Sequence, residues 1–276
     1  MVEPQAFKDN ERLAWDLCAE RYDRCATQAF APFSEKLLAL ARLHSGQHVL
    51  DVATGGGAAA LMAAKLVGPG ARVVGVDLSE SMIALARERA AQVGVHNVEF
   101  APMDAEHLQF PADSFDVVLC ALGLMLFPQP VNALSEMHRV LKAGGTAVLS
   151  VFGRGSRVAL RALLEPFIPH MPSPEQRGPS IFGFGQSEVL AEAVKGGGFS
   201  EITTEQQAHV LTFREVEGIW EMLLSLGRLA QMHSRLSTGK QQQLKEQVFG
   251  IAREQFTSPQ GALELPFEIS YAVARP

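Results

Sequence analysis

Three aspartates, Asp51, Asp77 and Asp104, stand within or just after apolar runs that read as strands, and Gly55, Gly56 and Gly57 follow the first of them. The run around Val49, Leu50 and Val52 has the continuous apolar character of a buried parallel strand. The glycines make a tight turn, and Ala58 to Leu66 is rich in strong helix formers. Strand, glycine turn and helix together bring backbone close to a nucleotide-like ligand at the carboxyl end of a sheet. Asp77 ends the next apolar run, 22 residues after Gly55. A carboxylate at that place can accept both hydroxyls of a ribose.

The elements that must position these residues alternate along the chain. Ala6 to about Ala26 has helical composition, with Leu13, Trp15 and Leu17 as candidate apolar contacts. A second helix is predicted from Pro32 or Phe33 to Leu43, because proline suits a first helical turn and Gly46 a stop. The strand ending at Asp77 is followed by a helix from Ser79, a candidate N-cap, to Gly94. Val98–Phe100, Val117–Cys120 and Thr146–Val151 read as further strands, and Val131–Leu141 as a helix stopped by Ala143-Gly144-Gly145. Strands and helices alternating at this spacing predict a doubly wound parallel sheet, whose right-handed crossovers place the strand ends along one edge.

Composition narrows the function classes. A net charge of −6 argues against binding nucleic acid by phosphate neutralisation. No apolar run reaches the roughly 18 residues of a membrane span, and Met1–Asn10 has no signal-peptide pattern. Cys18, Cys25 and Cys120 form no CxxC pair and no zinc spacing, so reduced thiols and a cytoplasmic location are expected. No cluster of His, Asp and Glu suggests a catalytic metal, and no aspartate follows Asp116.

The chain resembles the class I S-adenosylmethionine (SAM) dependent methyltransferases, closest to the UbiE-type branch that methylates small molecules. The resemblance rests on the Val49–Gly57 loop, Val76-Asp77-Leu78-Ser79, Asp104-Ala105-Glu106, Phe110–Val118 and Leu141-Lys142-Ala143-Gly144-Gly145, in that order. It covers about Tyr22 to Val151 and implies a Rossmann-like, seven-stranded α/β sheet, mostly parallel with the last strand antiparallel. By the same resemblance, Ala53, Thr54, Gly55 and Gly57 pass under the methionine part of SAM. Asp51 orients that loop and the ligand's amino group, directly or through water. Asp77 holds the ribose hydroxyls, Leu78 and Met82 lie against adenine, and Asp104 accepts its amino group beside the Ala105 amide. Ala121 offers a carbonyl to the ammonium, and Tyr22 closes over the ligand. One residue departs from the family's Asp-x-Gly-x-Gly-x-Gly pattern: Ala53 stands at the first glycine, where a methyl crowds the site if φ is positive.

Three regions follow. Residues 1–45 are expected to be helices closing over the cofactor, 46–152 the SAM-binding core, and 153–276 a helical cap over the carboxyl edge plus the last two strands. Pro169 to Gly185 reads as a lid loop, and Leu265 to Ala274 as the last strand. Glu215–Met232 is apolar nearly all round, so it must be covered on every side. It is expected either to pack between cap and sheet or to line an acceptor pocket through Trp220, Met222, Leu223 and Leu226. Candidate bases are His170, His209, His233, Glu165 and Glu221, with His170 first because the lid could carry it to a bound acceptor. The expected activity is methyl transfer to a small, fairly apolar acceptor (a quinol, phenol, polyketide or similar natural product), by a monomer or homodimer, releasing S-adenosylhomocysteine (SAH). A methyltransferase-like protein that binds SAM without transfer, as a cyclase or partner subunit, is the alternative. A NAD-dependent oxidoreductase fits less well, because Gly-x-Gly-x-x-Gly spacing and a Tyr-x-x-x-Lys pair are missing.

Overall fold

The computed structural model of the chain describes residues 3–173 and 178–276. Among them, seven strands form one sheet in the order β3-β2-β1-β4-β5-β7-β6. The five strands β1 (Val49–Val52), β2 (Val73–Asp77), β3 (Val98–Pro102), β4 (Phe115–Ala121) and β5 (Leu141–Phe152) are parallel. β6 (Glu201–Phe213) and β7 (Leu263–Arg275) complete the sheet, with β7 antiparallel to both neighbours. All four residues of β1 are buried, as expected of a central strand covered on both faces. Registers Asp51 with Gly75 and Asp51 with Leu119 bring the ends of β2 and β4 level with the loop after β1.

Helices α2 (Ala58–Val67), α3 (Glu80–Gln92) and α4 (Pro130–Val140) connect the parallel strands. Ser79 caps α3 as its sequence suggests, its Oγ accepting from the Met82 amide at 3.1 Å. β5 starts earlier than predicted, at Leu141: the glycine turn lies inside the strand rather than before it. Gly144 takes φ 77° there, and β5 shifts register against β4 between Phe115 and Val117. An irregularity of this kind lets a strand absorb extra residues without ending.

At the amino terminus, one helix replaces the predicted two. α1 runs unbroken from Pro4 to Ala41 with Pro32 inside it. An interior proline costs about 3 kcal/mol in an isolated helix. Here both neighbouring turns are fixed by packing: Phe30 and Phe33 stack at 5.4 Å, and both rings meet Phe267 at 6.2 and 5.8 Å. The buried face also differs from the prediction. Leu13 and Leu17 are 53% and 58% exposed, whereas Phe7, Lys8, Glu11, Ala14 and Cys18 are buried. Two charged residues can occupy that face because each finds an opposite charge inside, as described below.

The cap contains α5 (Leu160–Leu163), a 3-10 turn at Glu165–His170, α6 (Ser187–Gly196), α7 (Val216–Leu224), α8 (Gly227–Ser234) and α9 (Thr238–Phe256). The apolar stretch read as one helix is thus two, broken at Ser225 and Leu226, where Leu226 is extended and the Ser225 hydroxyl donates to Met222 O at 2.6 Å. α8 then crosses α1 closely: a Cβ on Gly227 would lie 3.2 Å from Ala14 and Trp15 atoms. The predicted lid, Pro169 to Gly185, has its residues 174–177 outside the described residues. Its far end is anchored, for Gly185 O accepts from Gln206 Nε2 at 2.9 Å, and a Cβ on Gly185 would meet Gly153 O at 2.3 Å. Among the described residues no helix is long and apolar enough to cross a membrane.

Candidate active site

Residues from the strand edge, α1 and the cap enclose a cavity of about 1360 Å³. That is more than the roughly 300–1,000 Å³ of a pocket for one small molecule. The glycine turn forms its floor. Ala53, Gly55 and Gly57 all have positive φ, of 56°, 53° and 81°, so the chain curls back on itself before α2 begins. Asp51 fixes this curl from behind: its Oδ2 accepts from Thr54 Oγ1 at 2.6 Å and from the Ala60 amide at 3.1 Å. Its Oδ1 is buried with no hydrogen-bond partner among the described residues. Burial pushes the Asp51 carboxyl up to about 7, against the opposing effect of Thr54 and the Ala60 amide.

Asp77, at the end of β2, ties the two loops together. Its Oδ2 accepts from the Gly55 amide at 2.8 Å and its Oδ1 from the Ser79 amide at 3.0 Å. Burial also raises its pKa, and the amides of Ser79 and Gly55 work against that rise. An ionised carboxylate has about four lone-pair sites, so both oxygens keep capacity for a ligand. Leu78, Met82, Ala105 and Ala121 line the cavity alongside Asp77. Tyr22 lines it from α1, and burial raises its phenol to about 12, so it stays neutral.

Of the residues that the resemblance assigns to the cofactor, Asp51, Thr54 and Gly57 do not line the cavity. Their structural work is to shape the turn. Asp51 and Thr54 hydrogen-bond each other, and Gly57 opens α2 where an added Cβ would lie 2.9 Å from Phe100. Of the four predicted acceptor residues, Leu226 alone lines the cavity. Trp220, Met222 and Leu223 are core: Trp220 stacks on Phe167 at 6.1 Å, and Met222 and Leu223 are fully buried. The break after α7 is the reason, since it points α7 into the core and gives the cavity to α8.

Among the candidate bases, His170 lines the cavity. His209 does not: it contacts the Tyr271 hydroxyl at 3.2 Å and the Phe33 ring at 4.8 Å, and burial lowers its pKa. His233 packs edge-on against Trp220 at 5.3 Å, and Glu221 pairs with Arg21 at 3.3 Å. Cys120 is buried with its thiol raised to about 12 by burial, which makes it no nucleophile. Among the described residues no group of three His, Cys, Asp or Glu could hold a metal ion.

Sequence reasoning missed the charges that α1 brings in. Lys8 Nζ lies 2.7 Å from Asp104 Oδ2 and 2.5 Å from Glu106 Oε2, with its side chain 8% exposed. Burial opposes its charge, but hydrogen bonds to Asp104 and Glu106 hold its ammonium above the usual lysine range. Glu11 pairs with Arg228 of α8, whose guanidinium also sits 4.6 Å over the Phe7 ring. Asp16 reaches α3, accepting from Ser79 Oγ at 2.6 Å and the Ser81 amide at 3.2 Å. Lys8 and Glu11 lie three residues apart on a helix, so they share a face. Nothing in their spacing says that the face is inside.

Residues 43–177 match the methyltransferase domain family. Aklanonic acid methyltransferase DauC of Streptomyces sp. (strain C5) is 29% identical over 212 residues, 73% of this chain and 96% of that one. Nocamycin O-methyltransferase of Saccharothrix syringae is 30% identical over 204 residues, 69% of this chain and 72% of that one. A demethylmenaquinone methyltransferase of Listeria monocytogenes is 40% identical over 111 residues, covering 40% of this chain and 47% of the relative. The topology, the strand-edge cavity and these similarities agree: the chain belongs to the class I SAM-dependent methyltransferases, with relatives of the UbiE type and others that act on small molecules.

Proposed function

We infer that the enzyme methylates a small, largely apolar acceptor of the quinol, phenol or polyketide kind, with SAM bound at the strand edge. The observation that carries this reading is that one cavity joins the strand edge to the cap. Asp77, Asp104 and the Gly55 turn bound one part of it, and the aromatic rings of Phe30, Phe152 and Phe182, which pack on one another, bound another. Its volume exceeds what one small molecule needs, so donor and acceptor can share it.

The residues present fit the donor. Its cation suits an edge that carries Asp77, Asp104 and Glu106, and the orphaned Asp51 Oδ1 lies behind the turn that would hold the ligand's amino acid part. When bound, SAM supplies a methyl group already activated by its sulfonium. Asp77 would hold the ribose hydroxyls through lone pairs that the amides of Gly55 and Ser79 leave free. Leu78 and Met82 would flank the adenine, and the Ala121 carbonyl would meet the ammonium. Tyr22, neutral and half-buried, would cover this end and exclude water. Positioning and desolvation of this kind can supply much of a transfer rate. An acceptor hydroxyl would in addition gain from a base, and His170 is the imidazole that lines the cavity.

Calorimetric titration with SAH, with NAD as the control, tests the donor site. Micromolar binding of SAH alone supports it, and binding of NAD instead would overturn it. Mass spectrometry after incubation with SAM and a panel of quinols, phenols and polyketides then separates transfer, which adds about 14 Da, from cyclisation, which adds nothing (the mass of a CH2 unit, in an assay that follows the proximity argument).

A further inference from the structure

Charge is not spread evenly around the cavity. Asp77, Asp104 and Glu106 belong to the strand edge, where backbone amides meet Asp77 and Lys8 meets the other two. Glu11 is met by Arg228. Among the described residues, the two further arginines of the lining come from the cap: Arg161 of α5, and Arg235, the residue after α8. Both are exposed, and neither side chain makes a hydrogen bond, ion pair or ring contact with any described residue. Each is set among apolar groups of the same cavity. Leu164 follows Arg161 by one turn, and Met232 and Leu236 flank Arg235.

We propose that Arg161 and Arg235 are an anion site for the acceptor, and that the acceptor is a flat apolar molecule bearing a carboxylate away from the atom to be methylated. The proposal rests on reading the cavity as a methyl-transfer site and adds the substrate's charge to it. The donors of both guanidinium groups are left unmet by the described residues, and a carboxylate of the acceptor would meet them. Clefts lined by one sign of charge also concentrate the opposite ion. Guanidinium is suited to the task, since its planar fork matches a carboxylate with two parallel hydrogen bonds. The division of labour is then electrostatic: acids at the strand edge for a cationic donor, arginines in the cap for an anionic acceptor.

A matched pair of probes tests this. Anthraquinone-2-carboxylate and anthraquinone-2-carboxamide share one ring system and differ in charge. Their binding to the full-length protein saturated with SAH is followed by quenching of tryptophan fluorescence, since Trp15 lines the cavity. The carboxylate is expected to bind at least tenfold more tightly than the amide at low ionic strength. In the double variant Arg161→Gln, Arg235→Gln the preference should fall to within twofold of unity while the amide binds as before. Arg161→Lys with Arg235→Lys keeps the charge without the fork and should give an intermediate preference. Equal binding of the two probes to the unmodified protein, binding of neither, or a preference that survives in the Gln variant overturns the proposal. SAH binding is measured first on every protein. Its loss from the unmodified chain refutes the methyl-transfer reading, whereas SAH binding without carboxylate preference refutes the anion site alone.

Discussion

Ala53 and Gly123 form a complementary pair whose coupling can be measured. Ala53 holds φ 56° where the family pattern has glycine, and its methyl points at Gly123 in the loop after β4. Gly123 itself has φ −89° and ψ −44°, a conformation open to any residue. Gly123→Ala therefore has no backbone penalty, and its whole cost is steric. The new Cβ would sit 2.6 Å from Ala53 Cβ and 2.9 Å from Cys120 Sγ, against the roughly 3.5–4.0 Å of a normal carbon contact. Overpacking of that order costs about 1–3 kcal/mol, and two simultaneous overlaps place this case near the upper end. Ala53→Gly removes the shorter overlap. It also relieves left-handed strain of about 1–2 kcal/mol, offset by about 0.5–1 kcal/mol of glycine chain entropy. Alone it should be neutral to slightly stabilising. In its background, Gly123→Ala should cost about 1 kcal/mol less than in the unmodified protein, a coupling within the range found for residues in contact. Urea unfolding of the four proteins gives the cycle. Both residues line the cavity, so SAH affinity should follow the same pattern. An identical cost of Gly123→Ala in both backgrounds would refute the idea that Gly123 accommodates the Ala53 methyl.

Three further outcomes are expected. Asp51 has a folded pKa of about 7, raised from an ordinary carboxylate value by burial, so its folded form holds a proton that the unfolded form releases near pH 4. Its contribution is complete below that unfolded value and is lost as pH rises through the folded one, with a slope of up to about 1.4 kcal/mol per pH unit. Asp51→Asn should remove this slope from urea-unfolding stabilities, and parallel profiles for the two proteins would contradict it. Lys8→Met leaves Asp104 and buried Glu106 facing each other without their cation, and should destabilise by about 3 kcal/mol. Adding Glu106→Gln should recover part of that loss, and no recovery would show that the stem of Lys8, not its charge, matters. Asp77→Ala should weaken SAH binding by about 1–3 kcal/mol in calorimetry, and unchanged affinity would displace the ribose from Asp77.

The parallel core was legible because its signals are local. An apolar run, a glycine turn and an acid at the strand end are all contained within a few residues, and Ser79 capping α3 is a three-residue signal. Long-range choices were not legible. Pro32 reads as a helix start from its own chemistry, and only the packing of Phe30 and Phe33 on Phe267 carries α1 through it. Leu13 and Leu17 read as core because leucine is usually buried. The face that wins carries Lys8 and Glu11, whose partners lie far away in sequence at Asp104, Glu106 and Arg228. Ala53 is an intermediate case: its departure from the glycine pattern was visible, and the consequence depended on a φ that only the folded loop supplies.

If the cavity holds the acceptor as proposed, the break between α7 and α8 decides which residues can set specificity. An unbroken helix over Glu215–Met232 would share Trp220, Met222 and Leu223 between core and cavity, and any change there would disturb both. With the chain turned at Ser225 and Leu226, α7 is wholly committed to packing, through the stack of Trp220 on Phe167 and the burial of Met222 and Leu223. The cavity wall passes to α8 and the residues on either side of it, where Leu226, Leu229, Met232, Arg235 and Leu236 all line the space. Large-to-small changes in α7 should therefore cost stability, by about 2–5 kcal/mol for Met222→Ala, without altering which acceptors bind. Changes at Met232 or Leu236, half-buried and at the cavity, should do the reverse. A Met222→Ala protein that unfolds at lower urea yet keeps its ranking of probe ligands, beside a Met232→Ala protein that keeps its stability and changes its ranking, is the pattern this separation requires. If the two variants exchanged those phenotypes, α7 rather than α8 would be the specificity element.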